Sequence, residues 1–200
     1  PEIAESWEAS SDVRTWTFKI RKGVEFHNGK TLTPEDVVAS LNHHRGEDST
    51  SVSKPLLSSV VDIKVDGQNV VVELSAGNAD FPALASNFQM IIMPSSDGKI
   101  SDPLSGVASG PYKLEAFEPG VSASYVRNVN YWKDGRAHFD AIETTAAIDP
   151  AARNSAILSG ESDLIGSVDL KTADRLDANP SVTVLSVAGN QHYTFPMLTN

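Results

Sequence analysis

One short stretch near the start of the chain restricts the fold most tightly, because it joins a half-buried strand, a turn and a helix start. Trp16, Phe18 and Ile20 alternate with polar residues, which is the period of two expected for a strand with one buried face. Residues 28–29 (Asn-Gly) supply a turn, since both tolerate positive φ. Residues 33–36 (Thr-Pro-Glu-Asp) combine a capping residue, an early proline and acidic groups that complement the helix dipole. The stretch predicts a helix packed against a sheet.

The remaining sequence predicts further strands and helices. Apolar residues alternate over 61–65 and 70–74 around a polar turn, which indicates a β-hairpin. We also predict a short helix over 82–86, strands over 90–93, 112–114, 122–126, 142–148, 163–165 and 182–185, and helices over 149–160 and 169–178. Because strands dominate the first half and strand–helix alternation follows, we predict a mixed α/β (α+β) chain. Its strand-rich region covers 1–93 and its α/β region 94–200.

Composition excludes several classes of protein. The net charge of -10 argues against a nucleic-acid partner, because phosphate binding depends on clustered Lys and Arg. The lack of cysteine excludes a disulfide framework, a thiolate metal site and a Cys nucleophile. No apolar run approaches the ~18 residues that a membrane-spanning helix needs. Since the chain opens at Pro1 without an initiator methionine or signal-peptide pattern, we expect it to be an internal piece of a longer protein.

A search for catalytic motifs finds none. The histidines form no metal-binding pattern; they are His27, His43, His44, His138 and His192. Residues 106–110 are similar to a nucleophile elbow, but Ser109 stands one place too late for G-x-S-x-G. Phosphate-binding glycine loops are missing, and pairs of acidic residues coincide with helix starts and turns. We therefore expect no enzymatic activity, no cofactor and no bound metal.

Five segments, taken in order, resemble the family 5 solute-binding proteins, which include dipeptide-, oligopeptide- and nickel-binding receptors of ABC importers. They are residues 5–29 (with Glu-Ser-Trp-Glu and Thr-Trp-Thr-Phe), 32–38 (Leu-Thr-Pro-Glu-Asp-Val-Val), 109–114 (Ser-Gly-Pro-Tyr-Lys-Leu), 127–132 (Arg-Asn then Asn-Tyr-Trp) and 159–164 (Ser-Gly-Glu-Ser-Asp-Leu). Aromatic residues and glycines carry the signature, so it marks the scaffold rather than the binding site. Tyr131 and Trp132 are accordingly predicted to pack in the core.

The resemblance implies a fold like the type II periplasmic binding proteins, of which this chain would be a part. Residues 1–93 would form the family's extra subdomain, and residues 94–200 part of lobe I leading to the hinge. The whole receptor would capture a solute, either a peptide or a similar small polar molecule, by closing two lobes around it. It would deliver the solute to a membrane permease, and we expect a monomer. Its place would be the periplasm or the outer face of the cytoplasmic membrane, with or without a lipid anchor.

The resemblance also implies ligand-binding positions. They lie after the predicted strand 163–165, near the final strand, and in the loop 49–53; the residues are Gly166, Ser167, Val168, His192, Tyr193, Thr194, Phe195 and Ser51. Small residues at 166 and 167 leave peptide specificity open. Two other functions stay open as well. One is a hydrolase that uses dispersed acidic residues, and the other is a sensor or adhesion module on the same fold.

Overall fold

A computed structural model describes residues 2–187, which form two compact units, the first running through Thr144 and the second beginning at Thr145. The first half of the first unit contains β1 (Ala4–Ala9), β2 (Thr15–Ile20), α1 (Pro34–His43), a 3-10 helix (Lys54–Leu57), β3 (Val60–Asp66) and β4 (Asn69–Leu74). It continues with α2 (Phe81–Ala85), β5 (Ser95–Ser96), β6 (Lys99–Ile100), β7 (Tyr112–Glu118) and β8 (Ser122–Arg127). Strand β9 (Ala141–Thr145) lies at the boundary between the units. The second unit contains α3 (Pro150–Ser159) and α4 (Leu170–Asp177). The predicted division between residues 93 and 94 concerns subdomains of a longer receptor and stays a prediction.

An antiparallel sheet of four strands, in the order β1-β2-β4-β3, organises the first unit. Trp16 of β2 lies opposite Val72 of β4, and both side chains are buried. Alternate residues of β4 point into the same core, where Val70 and Val72 lose all solvent contact. Helix α1 packs on this sheet through Val37 and Leu41. The alternating pattern of the sequence is therefore confirmed as the periodicity of one buried sheet face.

Helix α1 begins as predicted, but its acidic first turn is buried. The Asp36 carboxylate is fully buried and accepts hydrogen bonds from Thr33 N–H (2.9 Å), Ser95 N–H (2.7 Å) and Ser95 Oγ (2.7 Å). The Lys30 ammonium donates to the same carboxylate. Burial raises the pKa of Asp36, but these hydrogen bonds outweigh burial and hold the pKa below its usual value. Asp36 thus fastens the helix start to the segment at residue 95.

A second set of hydrogen bonds joins the turn at residue 27 to the approach to β7. His27 N–H donates to Ala108 O (2.8 Å), and Ala108 N–H donates to His27 Nδ1 (3.3 Å). Since Nδ1 accepts, Nε2 carries the proton and donates to Gly110 O (3.1 Å). Gly110 O also accepts from Asn128 Nδ2 (3.0 Å). Burial lowers the pKa of His27, as does the charge of Lys113, although the bond to Gly110 opposes them.

The aromatic pair near residue 132 has the scaffold role that the sequence predicts. Trp132 packs, half-buried, against the edge of the core. The Arg21 guanidinium lies 4.4 Å from the centre of the Trp132 ring, and the Lys133 ammonium lies 5.1 Å away. The Tyr131 ring stands 5.7 Å from the Trp132 ring, between centroids. These contacts hold the segment after β8 against the first sheet.

The helices of the second unit are fixed by local capping. The Asp149 carboxylate accepts from Ala151 N–H (3.0 Å) at the start of α3, and Asp169 caps α4 in the same way. Helix α3 ends at Gly160, whose φ of 76° is the left-handed geometry that glycine adopts without strain. Buried Asn154 joins the two helices through a 3.3 Å bond from its Nδ2 to Thr172 Oγ1. Both predicted helices are confirmed.

Three predicted strands are wrong. Residues 90–93, 163–165 and 182–185 form no strand in the described part of the chain. Their backbone groups make other hydrogen bonds, for example from Met93 N–H to Ser40 Oγ (3.0 Å) and from Val182 N–H to Asn179 O (3.1 Å). An apolar run becomes a strand only when a neighbouring strand takes its backbone groups.

Other boundaries also differ from the sequence pattern. The predicted strand 142–148 is shorter, since β9 ends at Thr145. The structure adds β1 and the β5–β6 ribbon, which the pattern does not predict. Among residues 2–187, no helix combines the length and the apolar character needed to cross a bilayer.

Candidate functional site

A surface depression of about 700 Å³ lies in the first unit, between the loop after α1 and the segment after α2. Its volume falls within the ~300–1,000 Å³ range of small-molecule sites. It contains the loop in which the sequence analysis placed a ligand contact. The lining residues are His43, His44, Arg45, Asp48, Ser49, Thr50, Ser51, Val52, Ser53, Phe88, Gln89 and Ile91. We take this depression as the candidate site.

Hydroxyl groups hold the loop of the depression in shape. Ser49 Oγ donates to His43 O (2.9 Å), and Ser51 N–H donates to Ser49 Oγ (3.3 Å). Ser53 N–H in turn donates to Ser51 Oγ (3.1 Å). Serine side chains that bond backbone groups two residues away form compact turns. The run of serines is therefore a preformed loop and needs no ligand to order it.

Ser51, the predicted ligand contact, also faces His44 inside this loop. Ser51 Oγ and His44 Nδ1 are 2.6 Å apart. Burial lowers the pKa of His44, and the neighbouring His43 lowers it further, so the ring is neutral at pH 7. A neutral ring can accept the Ser51 hydroxyl proton at Nδ1. The Ser51 hydroxyl therefore positions the loop, and direct contact between Ser51 and a solute stays a prediction.

Arg45 anchors the loop to the sheet. Its guanidinium donates to Asn42 Oδ1 (2.8 Å), Val60 O (2.8 Å) and Val61 O (3.1 Å). Burial lowers the pKa of Arg45, whereas the nearby Asp62 raises it. Because these donors are directed at backbone and amide oxygens, Arg45 braces one wall of the depression.

Apolar side chains on both walls of the depression, the loop after α1 and the segment after α2, are exposed to solvent. Phe88 is 85% exposed, Val52 76% and Ile91 53%. A hydrogen bond of 3.0 Å from the buried Ser53 Oγ to Gln89 Oε1 ties the two walls together. Phe88 was not predicted as a site residue, although its place between Asn87 and Gln89 indicates a turn. An asparagine in this place favours the end of a helix and interrupts the alternation of a strand, so the residue after it can be exposed.

The predicted ligand loop 166–168 lies in the second unit. Gly166 and Ser167 are exposed, and Val168 is half-buried. Ser167 has a φ of 55°, in the left-handed region that side-chain-bearing residues seldom adopt. Its carbonyl accepts from Arg153 Nη2 at 3.4 Å. A ligand role for this loop stays a prediction.

The other predicted ligand residues cannot be placed. His192, Tyr193, Thr194 and Phe195 lie outside the described residues. Their proposed contacts with a solute also stay predictions.

Histidine and acidic side chains are dispersed over residues 2–187. That part of the chain contains no group of three or more His, Asp or Glu side chains placed to hold a metal ion. Two carboxyl groups have a lowered pKa, and each is explained locally. Asp36 belongs to the helix junction, whereas exposed Asp12 accepts from Ser10 Oγ (2.6 Å) and Arg14 N–H (3.3 Å). Neither is part of the convergent pair that a hydrolase would need.

A second cleft of about 720 Å³ lies along the core face of the first sheet. Its lining includes Trp16, Phe18 and Phe81, which belong to or pack against the hydrophobic core. The loop 49–53, in which a ligand contact is predicted, does not line this cleft. For that reason we place the candidate site at the first depression.

The sequence model described as "bacterial extracellular solute-binding proteins, family 5 Middle" matches residues 1–200. A curated relative, heme-binding protein A of Haemophilus influenzae, is 29% identical over 94% of this chain and 39% of its own length. A second, a probable peptide ABC transporter periplasmic-binding protein of Sinorhizobium fredii, is 27% identical with the same coverage. The chain thus spans about two-fifths of the length of these relatives.

A solved structure agrees with the sequence comparison. The periplasmic binding protein AgaA of Agrobacterium tumefaciens R10, determined with agropinic acid, superimposes with a TM-score of 0.81 at 28% identity. The match covers 90% of this chain and 37% of that protein. The predicted fold class, a partial type II periplasmic-binding-protein fold, is confirmed.

Proposed function

This chain belongs to the bacterial extracellular solute-binding proteins of family 5, and from that premise we propose that it supplies part of the solute site of an ABC importer's receptor. The receptor would capture its solute without altering it covalently and pass it to a membrane permease. It would act in the periplasm or at the outer face of the cytoplasmic membrane. Attachment there by a lipid anchor remains the alternative to a free protein.

The observation that carries this proposal is the preformed depression at the loop 48–53. It combines a volume suited to a small molecule with hydroxyl groups, an amide and exposed apolar side chains. Binding sites for small organic solutes are made of the same mixture, with apolar contact for affinity and a few polar groups for orientation. Since the serine bonds already order the loop, little conformational entropy would be lost when a solute binds.

The class of solute follows from the relatives only in outline. One relative is named for heme, another for a peptide transporter, and the solved structure contains agropinic acid. On this chain we propose a peptide or a similar small polar molecule. The loop Gly166–Val168 and residues 192–195 remain proposed contacts on the second unit. The receptor would work as a monomer.

The proposal can be tested by measuring thermal stability and chemical turnover together. Heme, agropinic acid and a set of di- and tripeptides would be added singly to the protein. A solute that binds the folded state raises the melting temperature in proportion to its concentration over Kd. We expect at least one of these solutes to raise the melting temperature while remaining chemically unchanged. Turnover of a bound solute would contradict passive capture.

Two matched substitutions locate the site. Val52→Asp puts a charge into the depression, whereas Val129→Asp puts the same charge at a residue that is 83% exposed and does not line it. We expect Val52→Asp to abolish the thermal shift and Val129→Asp to leave it unchanged. Equal shifts in both variants would place the binding site elsewhere.

A further inference from the structure

Phe88 has an unusual setting for a large apolar side chain. Its ring is 85% exposed, although it stands beside the almost fully buried Met90. Val52 and Ile91 are also exposed, and all three side chains line the same depression. Single exposed apolar residues are common on proteins, but several on one concave surface indicate an interaction site.

A hydrogen-bonded turn carries the Phe88 side chain. Asn87 Oδ1 accepts from Gln89 N–H (3.0 Å), and Asn87 O accepts from Met90 N–H (2.9 Å). The Gln89 side chain is held by the buried Ser53 hydroxyl. Phe88 is therefore carried on a closed turn with bonds on both sides. The backbone beneath the ring would then need little further ordering when a ligand binds.

The polar groups of the depression are less available than its apolar groups. The Arg45 donors are directed at three protein oxygens, and the Ser51 hydroxyl is shared between His44 and Ser53. A small inorganic anion is recognised by charged groups that are not already paired within the protein, and a bare metal ion by clustered ligand atoms. This surface offers a ligand mainly apolar contact.

Building on the proposed function, we propose that Phe88 is a specificity-determining residue, and that the depression takes an organic solute bearing an aromatic or aliphatic group. The group packs on the Phe88 ring between Val52 and Ile91. The amide nitrogen of Gln89, whose oxygen accepts from Ser53, then orients the polar part of the solute. The site thereby discriminates against small ions that lack an apolar surface.

The test is an NMR titration of the receptor that contains this chain, observing the methyl groups of Val52 and Ile91. The probes are the dipeptides Phe-Ala and Ala-Ala, inorganic phosphate and Ni²⁺, each up to millimolar concentration. We expect Phe-Ala to shift both methyl signals with a Kd about tenfold lower than that of Ala-Ala, since one aromatic contact is worth roughly a factor of ten. Phosphate and Ni²⁺ should leave the methyl signals in place.

Three variants define the role of the ring. Phe88→Ala should raise the Kd for Phe-Ala about tenfold, and Phe88→Leu should raise it less, because an aliphatic surface remains. Phe117→Ala, which removes a ring that is 65% exposed outside the depression, should match the unaltered protein.

The outcomes separate this inference from the proposed function. If Phe-Ala and Ala-Ala bind equally and Phe88→Ala changes nothing, the role of Phe88 is overturned while the solute site stands. A strong response to phosphate or Ni²⁺ would overturn the solute class. If no probe moves either methyl signal, both this inference and the site at the depression are overturned.

Discussion

The two compact units of the chain differ in how far their apolar side chains are buried. In the first unit, Val70, Val72 and Phe81 have no solvent exposure and belong to one continuous core. In the second, Leu164 is 81% exposed and Leu170 86%, and Leu176 is the one fully buried apolar side chain among its described residues. The first unit thus has a core of its own. The second has locally capped helices, and several apolar side chains among its described residues are exposed.

Helix formation and core formation therefore have separate causes in this chain. Helices α3 and α4 begin at capping aspartates, and α3 ends at Gly160, so their limits are encoded locally. A sheet needs strands from distant parts of the sequence to pair, and the first unit contains four strands that do so. The following substitutions test whether changes in the first unit lower the free energy of unfolding more than changes in the second.

The largest effect should come from Phe81→Ala in the first unit. It removes a fully buried ring that stands 6.1 Å from the Phe18 ring, between centroids, and should lower the free energy of unfolding by about 3–5 kcal/mol. Leu170→Ala in the second unit should change it by less than about 0.5 kcal/mol. Urea unfolding followed by tryptophan fluorescence measures the first unit, because all three tryptophans lie there, and circular dichroism follows the helices. Equal costs for both variants would contradict the comparison.

Asp36→Asn should have the next largest effect, about 1–3 kcal/mol, because it leaves the partly exposed Lys30 ammonium without its carboxylate and one Ser95 donor poorly matched. The pKa of Asp36 is lowered in the folded state, so its contribution is present above the unfolded pKa of ~3.9 and is lost as the pH falls toward the folded value. Urea unfolding at pH 3 to 7 should therefore show a smaller acid dependence in Asp36→Asn. An identical acid dependence would refute the assigned role of this carboxylate.

His27→Gln should have a moderate, pH-dependent effect of about 1 kcal/mol. Since burial and Lys113 lower the pKa of His27 in the folded state, the unfolded chain binds the proton more readily. The contribution of His27 is thus present above the unfolded pKa of ~6.5 and is lost as the pH falls below it. The protection of the Ala108 amide, taken relative to the intrinsic exchange rate at each pH, should fall in this window in the unaltered protein and show no such fall in the variant. Exposed His43 provides a control through His43→Gln.

Gly160→Ala should give the smallest effect, about 0.5–1 kcal/mol, confined to the second unit. Its φ of 76° is strained for alanine, although a methyl group would meet no atom within 4 Å. Gly166→Ala is the matched control, because that glycine has neither positive φ nor a close neighbour. Hydrogen exchange at the end of α3 should quicken in Gly160→Ala alone. Faster exchange in both variants would show that the left-handed cap is not the cause.

The sequence predicted the fold better than the candidate site. Alternation at Trp16 and the helix start at Asp36 are short-range patterns, and both were found where they were predicted. The strand over 90–93 was wrong, since Ser40 takes the backbone donor of Met93. Because residues 90–93 were predicted as a strand, Phe88 was not recognised as a site residue. Its exposure depends on the course of the chain after α2.

The helix limits, the hairpin and the family scaffold could be predicted from sequence patterns, because caps, turns and side-chain periodicity act over a few residues. Three other features depend on the folded chain: the Asp36 carboxylate joins two segments, Ser51 is bonded to His44, and the Phe88 side chain is exposed at the depression. The physical reason is that burial and hydrogen-bond partners are set by residues distant along the chain. A local pattern can specify a helix or a turn, but it cannot specify which side chain remains unpartnered when the chain has folded.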